Sequence, residues 1–122
     1  MASLSDETLH RILQQIQQTA VNSQRALATT RATLAAKERE RRILQLTIEE
    51  INSLDKDVNL YKGVGKMFLL TPHRTMEKDL KTQEKDLTDD LNNLNKKAKY
   101  LEKTFNEAQT QLRDIFSNAP KS

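Results

Sequence analysis

Both glycines of this 122-residue chain sit near its middle, at Gly63 and Gly65, and its two prolines, Pro72 and Pro120, come later. Everything before Gly63, and nearly everything after Pro72, therefore lacks the residues that most readily interrupt a helix. That spacing predicts a mostly α chain of one domain, residues 1–122, with a helix over about 5–57, a β-hairpin over 59–71 and a second helix over 72–118. At ~1.5 Å per residue each helix would run roughly 65–75 Å, far beyond the usual globular length.

The apolar pattern says what such helices would do. From Leu9, alternate steps of four and three reach Leu13, Ile16, Ala20, Ser23, Leu27, Thr30, Leu34, Lys37, Arg41, Leu44, Ile48 and Ile51 without losing register. A sustained period of 3.5 keeps one narrow stripe against a partner helix, which is the seam of a left-handed coiled coil. Ser23, Thr30, Lys37 and Arg41 dilute the middle of that seam, so the middle is expected to be its least stable part. In the second stretch the seam reads Met76, Leu80, Gln83, Leu87, Leu91, Leu94, Ala98, Leu101, Phe105, Ala108, Leu112 and Ile115. The two successive steps of four around Leu87 are a stutter that relaxes the supercoil locally. Thr71-Pro72 reads as its start, with the threonine hydroxyl as a cap and proline at the first helical position.

Composition narrows the function. There is no cysteine, which excludes a disulfide scaffold, a thiolate nucleophile and Cys-ligated zinc. Twenty basic residues against 17 acidic give a net charge of +3, and the two signs alternate instead of collecting on one basic face, so no nucleic-acid partner is expected. The opening residues lack a basic start followed by an apolar run, and no stretch approaches the ~18 apolar residues of a membrane span. The expectation is a soluble, cytoplasmic chain with no membrane partner. His10 and His73 stand apart from any second ligand at helical spacing and read as surface residues, so no metal is assigned. The acidic cluster Asp86, Asp89 and Asp90 lacks the glycine and alternating oxygens of a calcium loop and reads as a solvated helix face. Gly63-Val64-Gly65 is too short for a phosphate loop. Long solvated helices offer no enclosed pocket for tuning a base, so neither catalytic residues nor a cofactor are expected.

The stretch NLYKGVGKMFLLTP, from Asn59 to Pro72, is the informative one. Two short runs of strand-forming residues flank a turn near Val64-Gly65, which predicts a β-hairpin. A lone hairpin is marginal in water, and its apolar residues fall on both strand faces, as in a strand that completes a larger sheet or barrel. These residues resemble the hairpin of prefoldin β-class subunits. The resemblance implies a hexamer of α- and β-class prefoldin subunits in which the hairpins form a double β-barrel platform and long coiled coils hang from it. It implies that Leu60, Tyr61, Gly63, Val64, Gly65, Met67, Phe68, Leu69 and Leu70 serve assembly. It further implies an ATP-independent co-chaperone that holds unfolded clients such as nascent actin and tubulin and passes them to the cytosolic group II chaperonin.

Folding the two helices back antiparallel would bring the chain ends together. Leu4, Leu9, Ile12, Leu13 and Ile16 would then meet Leu112, Ile115 and Phe116, and these are the candidate client-binding residues. Ile12 and Phe116 lie off the seam and are expected to widen its apolar stripe. The alternative is a structural coiled-coil adaptor or tether for folded partners. An adaptor, however, needs helices alone and leaves the mid-chain hairpin without a purpose.

Overall fold

A computed structural model describes residues 5–118, in the order α1 (Asp6–Ser53), β1 (Leu60–Val64), β2 (Met67–Thr71) and α2 (His73–Asn118). Ser5 caps α1: its hydroxyl oxygen accepts the Thr8 N–H at 3.2 Å, and Asp6 and Glu7 place negative charge on the first turn. The helix stops at Ser53, short of residue 57. There the Ser53 hydroxyl donates back to the Glu50 carbonyl, and the Val58 N–H closes a turn on Asp55. A serine side chain that competes for a local backbone carbonyl favours a turn here over another helical turn.

β1 and β2 pair antiparallel from Leu60↔Thr71 to Val64↔Met67. The loop is thus Gly65-Lys66, one residue later than the sequence suggests. Gly65 has φ +61° and Lys66 stays on the negative side, the arrangement of a type II′ turn, which requires glycine at its first position. Thr71 does not cap α2. It is the last strand residue, and its hydroxyl donates to the Leu69 carbonyl, while the Pro72 carbonyl accepts the first α-helical bond, from the Met76 N–H. Proline therefore stands at the cap itself, outside the first helical position.

The described residues form two compact units, 5–33 with 94–118 and 34–93. In the first, the two helical stretches run antiparallel, bridged by Arg31 and Glu102 at 3.7 Å. Ala20, Ser23, Leu27, Thr30 and Ala108 form its buried centre. In the second, Lys37 meets Asp90 at 3.4 Å and His73 meets Ile51, again with opposed chain directions, around buried Leu44, Leu60, Met76 and Leu91. Every predicted α1 seam residue is buried or half-buried, including polar Ser23, Thr30, Lys37 and Arg41. In α2 one residue departs from the expectation. Gln83 is exposed and Glu84 is half-buried in its place, so the consecutive steps of four run Met76, Leu80, Glu84. No described side chain is less than 2% exposed, because a helix pair covers its seam from two sides only.

Candidate functional site

Residues that pair directly across an antiparallel ladder project to the same side of it. The register therefore sorts the hairpin into two sides. One carries Leu60, Lys62, Val64, Met67, Leu69 and Thr71, and the other Tyr61, Gly63, Phe68 and Leu70. The first side is covered at its root: Leu60 is 9% exposed, Thr71 is half-buried, and Lys62 Nζ reaches Asp79 Oδ2 on α2 at 3.6 Å. Toward the turn, Val64, Met67 and Leu69 are exposed. The second side is bare along its whole length. Tyr61, Leu70 and Phe68 all face solvent, Phe68 at 76% exposure, and the Phe68 ring lies over Gly63, with Cε1 at 3.8 Å from where a Cβ would stand.

The predicted assembly residues thus divide in two. Leu60 belongs to this chain's own core and is not on offer to another chain. Tyr61, Phe68 and Leu70 on one side, and Val64, Met67 and Leu69 on the other, are exposed apolar residues of a single two-stranded sheet, whose outer edges also carry unpaired backbone groups. Gly65, with its positive φ, shapes this surface by turning the chain, and Gly63 lies beneath the Phe68 ring.

Of the chain-end residues, Leu4 lies outside the described residues. Leu9, Ile12, Leu13, Ile16, Leu112 and Ile115 are half-buried. Ile12, expected to extend the stripe outward, is half-buried, whereas Phe116 is 63% exposed. Leu112 lines a shallow groove with Ala20, Val21 and Phe105.

One surface reading needs correction. The His73 side chain is largely buried, with Nε2 3.2 Å from the Ile51 carbonyl and Nδ1 3.2 Å from Glu77 Oε1, so it ties the start of α2 to the end of α1. Asp86, Asp89 and Asp90 are all exposed, as a solvated helix face requires, with Asp90 in a surface ion pair with Lys37. The seam pattern also missed Ile43, Leu46, Leu54 and Val58, which are large, apolar and exposed in the hairpin-bearing unit. Among the described residues no three His, Asp or Glu side chains gather in a metal-binding group, and no helix is long and apolar enough to cross a membrane.

A hairpin with one side bare, set between two long helices, is a specific arrangement, and known proteins share it. The profile of the family described as "Prefoldin subunit" matches residues 14–119. The chain belongs to the prefoldin subunit family. It is 33% identical over 107 residues to a protein named probable prefoldin subunit 1 in Schizosaccharomyces pombe, covering 88% of this chain and 96% of that one. It is 27% identical over 117 residues to prefoldin subunit 1 of Arabidopsis thaliana, covering 96% and 91%. The crystal structure of the prefoldin beta subunit from Thermococcus strain KS-1 superposes with a TM-score of 0.79 over 99% of this chain and 100% of that chain, at 21% identity, and so shares the fold. Prefoldin subunits are non-enzymatic chaperone subunits. Membership therefore implies assembly with other prefoldin subunits and a co-chaperone role.

Proposed function

We propose that this chain is a β-type subunit of a hexameric, ATP-independent co-chaperone of the cytoplasm, built from α- and β-class prefoldin subunits. Its hairpin joins strands of neighbouring subunits in a barrel. Its helix ends hold unfolded or nascent polypeptides of the actin and tubulin type, for delivery to the cytosolic group II chaperonin. The observation that carries this reading is the bare side of the hairpin: Tyr61, Phe68 and Leu70 face water on a two-stranded sheet that has open edges. A lone hairpin of this kind is marginal, and burying such side chains is worth about 1.5–3 kcal/mol each. Partner strands supply both the missing hydrogen bonds and the missing cover.

The holding role rests on the chain-end residues. Leu9, Ile12, Leu13, Ile16, Leu112 and Ile115 are each partly open, and Phe116 is largely so. Leu4 extends this set by position in the sequence. Partly covered apolar side chains at the ends of a thin helix pair can shift to grip many non-native sequences weakly, and a holdase needs that breadth more than tight specificity. No nucleotide enters the mechanism, because client capture and release are set by apolar contact alone. Native mass spectrometry of the tagged chain from its source cells tests the assembly. A discrete complex of six small subunits, near six times the 14.0 kDa of this chain, is expected. A homodimer, or a complex with one large folded protein, would overturn it.

A further inference from the structure

Along the chain the charges alternate in sign, but around the first part of α2 they are sorted. In the hairpin-bearing unit, Arg74, Lys78, Lys81 and Lys85 follow one another by steps of four, three and four, which places them on one face of the helix. All four are exposed, and together with Glu77 and Thr82 they line one shallow groove. Acids of the same stretch are engaged elsewhere: Asp79 meets Lys62, Asp90 meets Lys37 and Glu77 meets His73. Among the described residues no ion pair engages any of the four cations. Asp89, four residues beyond Lys85, ends the ridge.

This ridge works against the helix that carries it. Arg74 and Lys78, and again Lys81 and Lys85, are like charges four residues apart, a spacing at which they repel. The ridge also begins in the first turn, where the helix dipole is positive and favours acids. α1 follows that preference with Asp6 and Glu7, whereas the first turn of α2 holds no acid. A local rule broken twice, with no paired acid to offset it, marks a surface kept for a partner.

We infer that the ridge from Arg74 to Lys85 docks an acidic polypeptide segment. Its charge selects an anion, and its surroundings select protein. The ridge spans roughly 16 Å by helical rise, and an acidic helix presents carboxylates at the same steps of three and four residues. Single-stranded nucleic acid is held by cations together with aromatic side chains that stack the bases, and no aromatic residue lies between Arg74 and Lys85. Asp86 and Asp89 stand exposed at the far end of the ridge, where they repel a polyanion that runs on past it. A membrane surface calls for apolar side chains beside the cations, and the groove holds only Glu77 and Thr82 there. This face belongs to neither the seam, the hairpin nor the chain ends, so the docking is separate from assembly and from client holding.

The probe is a fluorescent Glu-rich peptide of about twelve residues, long enough to match the ridge as a helix, added to the chain purified in its native assembly. Anisotropy is expected to show binding that weakens as salt rises. Lys78→Gln with Lys81→Gln and Lys85→Gln keeps helix propensity and is expected to weaken that binding by roughly tenfold or more. Arg25→Gln with Arg39→Gln and Arg42→Gln removes the same charge from exposed positions on α1 and is expected to leave the affinity within about twofold. No binding, or an equal loss in both variants, would overturn the inference. Tighter binding of a single-stranded oligonucleotide of equal charge, or of phosphatidylserine vesicles, would overturn it too. Stability gives a second readout. With its like charges removed, the ridge variant is expected to unfold at a higher urea concentration than the parent. A lower midpoint would mean that the lysines hold the helix, and the docking role would fall.

Discussion

The two compact units of this chain treat their apolar residues in opposite ways. In the unit that holds the chain ends, Ala20, Leu27 and Ala108 are buried by the facing helix, and even polar Ser23 and Thr30 are sealed in the seam. In the hairpin-bearing unit, Leu44, Leu60, Met76 and Leu91 are buried, yet Tyr61, Val64, Met67, Phe68, Leu69 and Leu70 stay in water. The first unit buries its seam within the chain and leaves single apolar side chains, Val21, Tyr100 and Phe116, in water. The second buries enough to hold its shape and leaves its most apolar element unfinished, as a part that must be joined to others does.

The largest test of that contrast is Phe68→Asp. It should abolish the assembly in native mass spectrometry while leaving far-UV circular dichroism nearly unchanged, because the helices do not depend on an exposed ring. Leu27→Ala should do the reverse. Removing a side chain buried in the seam costs about 2–4 kcal/mol, read as a lower urea midpoint, with subunit composition retained. Replacing Leu112, Ile115 and Phe116 by Ser should leave assembly intact but weaken suppression of client aggregation several-fold in light scattering. Unaltered protection would remove these residues from the client surface. A smaller effect sharpens the account of the seam: Thr30, 4% exposed, carries a hydroxyl that Thr30→Val removes at nearly constant shape, and a gain of about 0.5–1 kcal/mol is expected on thermal melting. Least of all, Lys37→Gln breaks a partly exposed pair with Asp90 and should move stability by no more than ~1 kcal/mol.

The contrast was only half legible in the residues. Leu9 to Ile51 and Met76 to Ile115 keep a 3.5 period, so both helices and their shared seam follow from spacing alone, and the run from Asn59 to Pro72 marks the hairpin. What resisted was local competition. Ser53, Asp55 and Val58 end α1 with side-chain and turn hydrogen bonds that periodicity does not weigh, and Thr71 spent its hydroxyl on the Leu69 carbonyl instead of on a cap. In the stutter, the choice between Gln83 and Glu84 depended on how far the helix had rotated, a quantity that builds up along the whole contact.

By itself, then, the sequence determined the number of elements, their order and the stripe each helix turns inward, because these depend on near-neighbour spacing and on where glycine and proline fall. The tertiary structure decided exposure. Leu60 and Phe68 are both apolar strand residues, but the register puts Leu60 on the side rooted against the helices and Phe68 on the bare side. Likewise His73 reads as a surface residue until the start of α2 is placed beside the Ile51 carbonyl. Which apolar side chains are core and which remain for partners depends on contacts between residues far apart in the chain, and these exist only once the helices have paired.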